Sequence, residues 1–174
     1  INRILKLLLL ILWTKYKYFP PHKVSINAKT SLVQDVFSNV AKNYDLMNDV
    51  MSFGSHRLWK SELIDFINIQ YKESIIDVGS GTGDLIHLIL KKKLLNKIYA
   101  VDLNKEMLKY GKKKFSNKNI NFVEANAENL PFEKNYFDKY IIAFCLRNVT
   151  NINKALKEAL RVLKPGGIFF CLEF

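Results

Sequence analysis

Cysteine is scarce in this 174-residue chain, and the two present, Cys145 and Cys171, form neither a C-x-x-C pair nor any metal-ligand spacing. A disulfide scaffold is therefore excluded and no metal site is expected. Both thiols fall in expected strand regions and read as reduced, small apolar fillers. Long apolar runs are nearly missing too. The uninterrupted run from Leu7 to Trp13 is too short to span a bilayer, which needs ~20 apolar residues. It follows Arg3 and Lys6 as a signal-peptide core would, yet no small-residue cleavage site comes after it. Three readings stay open for it: a targeting-peptide remnant, a surface-lying anchor with basic flanks, or upstream sequence outside the mature protein. Pro20-Pro21 closes off this extension, 1–30. No internal repeat and no low-complexity tract occurs. The chain begins with Ile and stops inside an apolar strand, so it is expected to be a fragment at both ends.

Acidic charge is in short supply. The formal net charge is +11, but Arg3, Lys6, Lys15, Lys17, Lys23 and Lys29 all precede the first acid, Asp35, so much of the excess belongs to the extension. The blocks Lys91-Lys92-Lys93 and Lys112-Lys113-Lys114 follow helical segments and read as solvated faces that favour a helix C-terminal dipole. No known binding motif accompanies them, and no nucleic-acid partner is expected. At this length, with nearly half the residues apolar, one domain over 31–174 with one sizeable core is the prior.

The organising stretch is Ile75-Ile76-Asp77-Val78-Gly79-Ser80-Gly81-Thr82-Gly83-Asp84-Leu85, an apolar strand running into a glycine-rich turn and then an amphipathic segment. Glycines at alternate positions let the backbone turn sharply and approach a ligand without Cβ clashes. A dinucleotide fingerprint would read G-x-G-x-x-G. Here the spacing is Asp77-x-Gly79-x-Gly81-x-Gly83, with Asp84 in the place of the last glycine, which disfavours NAD. The acid ahead of the glycines agrees, because a carboxylate repels a pyrophosphate and holds an ammonium or sulfonium. S-adenosylmethionine carries those cations and no phosphate. Asp102, at the tip of the next strand Lys97 to Asp102, stands about 20 residues on, where a ribose diol is gripped. Each acid alone reads equally well as a helix cap or a solvated strand end; together they favour the methyl donor. Secretion is then the least favoured fate, since export would separate the chain from that donor.

Along the chain, Leu32, Val33, Val36, Phe37, Val40 and Ala41 recur at helix spacing. Tyr44 to Trp59 is too irregular for one helix; Met47, Met51 and Trp59 could be core with Asn48 and Ser52 as caps, or the stretch is a lid over the ligand crevice. After Ser61 a helix runs through Leu63, Ile64, Phe66 and Ile67. The helix after the glycines buries Leu85, Leu88 and Ile89 and leaves His87 outside. Asn104 to Phe115 is a helix with Met107, Leu108 and Phe115 inward. Ile120 to Glu124 is a strand whose exit, Ala125 to Phe132, falls where an adenine edge would lie. Tyr136 to Phe144 is a fourth strand, and Leu156, Ala159, Leu160 and Leu163 face inward on a helix stopped by Pro165-Gly166-Gly167. Ile168 begins a fifth strand. Such alternation predicts right-handed crossovers and a mostly parallel, doubly wound α/β sheet.

Two longer patterns carry a resemblance: Tyr44-Asp45-x-Met47-Asn48-x-x-Met51-Ser52-x-x-x-His56-x-x-Trp59, and Arg161-Val162-Leu163-Lys164-Pro165-Gly166-Gly167-x-Phe169-x-x-Leu172-Glu173. Both resemble signatures of the ubiquinone/menaquinone biosynthesis C-methyltransferases, over roughly Ser31 to the end. The resemblance implies the Rossmann-like class I methyltransferase fold with an N-terminal helical lid; that fold has seven strands, so this chain is expected to be C-terminally incomplete after its fifth. It implies donor contacts at Asp77, Gly79, Gly81, Thr82, Asp102, Asn126 and Ala127. Ala143-Phe144-Cys145 departs from the family's usual Ser-Phe-Gly and removes one possible hydrogen bond, worth ~1 kcal/mol.

The implied reaction is methylation of a ring carbon in a polyprenylated benzoquinol or naphthoquinol. Such a carbon is nucleophilic once the ring hydroxyl loses its proton, so a positive group is needed near that oxygen. Arg147 is expected to stabilise the phenolate, with Tyr44 and Asn148 orienting it; His56 could assist or be structural. Peripheral attachment to a membrane surface is expected from the apolar tail, on the cytoplasmic side of a bacterial inner membrane or the matrix side of the mitochondrial one, within a quinone-synthesis complex or as a homodimer. Rival readings are another class I small-molecule or RNA methyltransferase and a non-catalytic donor-binding or scaffold subunit. Asn/Asp-Pro-Pro-Tyr, which base-amino methylases of this fold carry, is missing between Phe144 and Val149.

Overall fold

The computed structural model describes Asp49, residues 54–94 and residues 96–173. Tyr44, the rest of the first signature up to Phe53 apart from Asp49, the helix expected at 32–41 and the whole extension lie outside the described residues. The elements, in order, are α1 (Ser55–Ile67), β1 (Ser74–Val78), α2 (Asp84–Lys91), β2 (Lys97–Asp102), α3 (Lys105–Lys114), β3 (Ile120–Glu124), β4 (Phe137–Ala143), a 3₁₀ turn (Leu146–Asn148), α4 (Ile152–Val162) and β5 (Leu163–Leu172). All pairings are parallel and the strand order is β3-β2-β1-β4-β5, the doubly wound α/β arrangement that the alternating pattern predicts.

Central β1 is buried along its whole length, as a parallel strand covered on both faces must be. On one face α1 and α2 bring Ile64, Ile67, Leu85, Ile86 and Ile89 against Ile75, Ile98, Ala100 and Ile141. On the other, Ala155, Ala159 and Val162 of α4 close over Ile76, Val78, Phe137, Tyr140 and Ile142. Local chemistry sets the helix starts. The Asn104 Oδ1 accepts the Met107 N–H (3.1 Å) and the Asn151 Oδ1 accepts the Lys154 N–H (3.0 Å), so each caps a helix. Lys112, Lys113 and Lys114 form the last turn of α3 rather than following it, and His87 is exposed.

Several expectations are corrected. The helix placed after Ser61 begins at Ser55, so His56 to Trp59 are helical; Phe66 is 79% exposed and meets Phe170 only edge-on at 6.3 Å. The strand expected over Tyr136 to Phe144 covers Phe137–Ala143, because Phe144 takes a left-handed φ of 54°. In α2 the buried set is Leu85, Ile86 and Ile89, with Leu88 only half-buried. On α4 the inner stripe is Ala155, Ala159 and Val162, while Leu160 is 76% exposed. The small stripe wins because it lets the helix sit close on the bulky rings of Phe137 and Tyr140. Leu163 belongs to β5, which starts five residues before Ile168, and Pro165-Gly166-Gly167 forms a bulge between the Phe137–Leu163 and Lys139–Ile168 pairings. Gly166 there has φ +80°, and a Cβ on Gly167 would lie 2.9 Å from the Lys164 carbonyl oxygen. Cys145 lies in the loop after β4 and Cys171 is exposed, so neither is a buried strand filler.

The α4 faces give a direct test. Val162→Ala, which removes two methyl groups from the core, costs about 2 kcal/mol of unfolding free energy, while Leu160→Ala stays within about 0.5 kcal/mol. Equal losses in denaturant titration would show that the inner face has been misassigned.

Candidate active site at the sheet switch point

Chain order reverses direction between β1 and β4, and in open α/β sheets ligands bind at the carboxyl ends of the strands flanking that point. A cavity opens there, lined among others by Val78, Gly79, Gly81, Asp102, Asn126 and Ala127 on one side and by Phe144, Cys145, Asn148, Val149 and Thr150 on the other.

The glycine loop is pinned to β2. The Gly79 and Ser80 N–H groups both donate to the Val101 carbonyl (2.8 and 3.0 Å), and the Gly81 N–H donates to Asp102 Oδ2 (2.8 Å). The other Asp102 oxygen accepts the Asn104 N–H (2.9 Å). One carboxylate thus joins the loop, the strand tip and the start of α3, with lone pairs left toward the cavity. Burial raises the Asp102 carboxyl above its ordinary range, against the pull of the Asn104 and Gly81 N–H groups. Gly79 has no alternative: its φ is +73°, and an added Cβ would collide with the Cys145 side chain. Burial likewise pushes the Cys145 thiol up to about 12, with Asp102 and Asp77 acting in the same direction.

Asp77 stands behind the cavity rather than on its wall. It is 1% exposed, and its Oδ2 has no hydrogen-bond partner in the protein. Burial lifts its pKa to about 7; the Lys60 ammonium opposes this, while Asp102 and Asp84 add to it. The Lys60 Nζ itself is 2.9 Å from Asp84 Oδ2. A buried carboxyl group with one unpartnered oxygen beneath a glycine loop suits a cationic ligand and opposes a phosphate, so the residues present fit S-adenosylmethionine.

The sequence-predicted residues divide. Gly79, Gly81, Asp102, Asn126, Ala127 and Asn148 line the cavity; Thr82 is buried outside its lining. Arg147 is also outside it, with its backbone N–H and guanidinium donating to Glu173 (3.2 and 3.0 Å). Tyr44 lies outside the described residues. His56 is buried 3.7 Å from Asp49, and burial lowers its pKa. Trp59 of α1 meets the Phe144 ring at 6.4 Å, with the Lys60 ammonium 6.0 Å from the same ring, so α1 abuts the cavity wall.

Sequence reasoning missed Lys60, Glu128 and the Glu158–Arg161 pair. The Glu128 Oε1 accepts the Thr150 and Asn151 N–H groups (3.1 and 2.9 Å). Arg161 donates to Glu158 and to the carbonyls of Leu130 and Phe132 (2.9 and 2.7 Å), while Glu158 accepts the Leu130 N–H (2.8 Å). Charged residues spaced i, i+3 on α4 were the available signal for the last pair; Lys60 and Glu128 had none, because their partners are distant in sequence.

The folded chain holds the Asp77 proton more tightly than an unfolded chain would, so stability is lost as pH rises from 3.8 through about 7. Asp77→Asn removes that cost. In scanning calorimetry it raises the melting temperature by at least about 3 °C at pH 8, with the gain shrinking as pH falls and vanishing only below 3.8; no gain at the higher pH would show that the charge is already compensated.

Comparison with known proteins agrees with this geometry. Residues 24–174 match the model of the ubiE/COQ5 methyltransferase family. The ubiquinone/menaquinone biosynthesis C-methyltransferase UbiE of Rickettsia bellii is 54% identical over 161 residues, covering 87% of this chain and 64% of that protein. UbiE of Rickettsia akari is 53% identical over the same shares. The chain therefore spans just under two thirds of the length of these relatives. Among solved structures, a protein from Methanococcus maripaludis superposes with TM-score 0.65 at 26% identity (77% of this chain, 62% of that one). An S-adenosylmethionine-dependent methyltransferase from Aquifex aeolicus gives 0.55 at 25% (61% and 58%). The [4+2]-cyclase SpnF gives 0.60 at 23% (65% and 43%), and at that identity the likeness concerns the fold alone. A glycine loop at the switch point of a parallel sheet, the two signature patterns and this match over most of the sequence lead to one conclusion: the chain belongs to the ubiE/COQ5 methyltransferase family.

Proposed function

We propose that the protein binds S-adenosylmethionine at the cavity and transfers its methyl group to a ring carbon of a polyprenylated benzoquinol or naphthoquinol. The supporting observation is the cavity itself. Its donor side carries the glycine loop and Asp102; its other side carries Asn148, which can face an acceptor.

When bound, the donor supplies an electrophilic methyl group on a sulfonium. Asp102 is placed to accept from the ribose hydroxyls, Asn126 and Ala127 to receive the adenine edge, and the bare backbone of Gly79 and Gly81 to admit the chain carrying the cations. Asp77 balances positive charge from behind the loop, and buried Thr82 supports the turn. On the acceptor side Asn148 orients the ring oxygen, together with Tyr44. Arg147 stabilises the phenolate after exchanging its Glu173 partner for that oxygen; the phenol proton and, after the carbon–carbon bond forms, the ring-carbon proton pass to water, and S-adenosylhomocysteine is the leaving group.

A polyprenyl tail requires access from a membrane surface, so we assign peripheral attachment, on the cytoplasmic side in a bacterium or the matrix side in a mitochondrion, as part of a quinone-synthesis complex or as a homodimer. Among the described residues no helix is long and apolar enough to cross a membrane.

The test is incubation with S-adenosylmethionine and short-tailed demethylated quinols, followed by mass spectrometry. One added carbon-bound methyl group is expected; methylation at oxygen, or none on either quinol class, would overturn the proposal. Arg147→Ala should lower kcat about 100-fold with donor affinity unchanged, and wild-type turnover would remove Arg147 from the mechanism.

A further inference from the structure

Two loops face each other across the cavity, and the Glu128 side chain joins them. The donor-side loop contributes Ala125, Asn126, Ala127 and Glu128 to the wall; the acceptor-side loop contributes Asn148, Val149 and Thr150. The donor-side loop is braced internally, with the Glu128 N–H donating to Asn126 Oδ1 (2.9 Å) and the Asn129 N–H to the Asn126 carbonyl (2.9 Å). The Glu128 side chain then reaches across, and its Oε1 accepts the N–H groups of Thr150 and Asn151 (3.1 and 2.9 Å) at the start of α4. A carboxylate there also meets the positive end of the helix dipole.

Farther along the same two segments, Glu158 and Arg161 of α4 grip Leu130 and Phe132. The stretch 126–132 is thus fastened to α4 at both ends, with Glu128 as the fastening beside the ligand. The acceptor-side loop is also held by the Asn148 N–H to the Cys145 carbonyl (2.9 Å), by the Val149 N–H to the Leu146 carbonyl (3.1 Å) and by the Arg147 N–H to Glu173 (3.2 Å). Leu146 and Val149 are partly buried against the core, and partly buried segments open more readily than the strands beneath them.

We infer that Glu128 is a positioning residue that transmits donor binding to the acceptor-side loop, so that filling the adenine edge orders Asn148 and Val149 before the second substrate arrives. The inference rests on the proposed donor site. It makes no use of Glu128 as a group touching the reacting atoms; the side chain acts through the two N–H groups it holds. The length of its arm matters more than its charge, because the span is bridged by one oxygen.

The test uses S-adenosylhomocysteine as probe and amide hydrogen exchange as readout, followed at Asn148 and Val149, whose N–H groups Glu128 does not accept. In the unaltered protein the probe slows exchange at both amides at least about five-fold. In Glu128→Ala the probe still binds, and that slowing disappears. Glu128→Gln, which keeps an acceptor on the same stem, retains most of it, whereas Glu128→Asp, one methylene shorter, loses it. This pair decides the matter if Glu128→Ala fails to fold. Ala155→Gly, a destabilising change elsewhere on α4, leaves the slowing intact. Full slowing in Glu128→Ala, or retention in Glu128→Asp with loss in Glu128→Gln, would overturn the inference while leaving the donor site standing. Failure of the unaltered protein to bind the probe in calorimetry would instead overturn the functional reading, and this inference with it.

Discussion

The site depends on one carboxylate. Asp102 accepts the Gly81 N–H on one oxygen and the Asn104 N–H on the other, and so fixes the glycine loop against the end of β2 and the cap of α3. Two further loop N–H groups close on the Val101 carbonyl one residue earlier. Hydrogen bonds to an ionised acceptor are the stronger kind, and here they hold a backbone that glycine alone would leave loose. The same residue faces the cavity. In the proposed function scaffold and recognition are therefore carried by a single side chain.

Behind this loop the charges are arranged so that the protein alone does not fully balance them. Asp77 is buried with an unpartnered oxygen, and the Lys60 ammonium whose charge acts on it is committed to Asp84 at 2.9 Å. Burying a carboxylate oxygen without a partner is costly, and in the proposed function a positive ligand relieves that cost. A phosphate at the same place would deepen it. That sign preference, more than the fold, separates a sulfonium nucleoside from a pyridine dinucleotide, since both ligand classes use parallel sheets with glycine loops.

Much of this was legible in the sequence where the governing forces are local. β3 follows from an apolar run and appears with the expected ends; β1 begins one residue before its expected start, at Ser74, and Asn104, read as the first helical residue, is the cap of α3. The glycine spacing and Asp102 located one wall of the cavity, while Asp77 lies behind it. The inner face of α4 was misjudged because periodicity favours large residues, whereas Ala155 and Ala159 are buried by the bulk of the rings opposite them. Pro165-Gly166-Gly167 looked like a stop and is a bulge, since the partner strand and not the local sequence decides whether a strand resumes. Arg147 was placed beside the acceptor by its position after β4, but its guanidinium turns to Glu173, 26 residues on. Glu128 and Lys60 take their partners across the fold, as do Glu158 and Arg161 in gripping Leu130 and Phe132, and no short window of sequence contains those pairings.

The account stands or falls on the charge logic of the loop. Calorimetric titration of S-adenosylmethionine and of NAD into the unaltered protein and into Asp102→Asn measures it most directly. The expected result is saturable binding of S-adenosylmethionine, no detectable heat from NAD, and at least about ten-fold weaker binding in the variant. Tighter binding of NAD, or unchanged affinity in Asp102→Asn, would contradict the account.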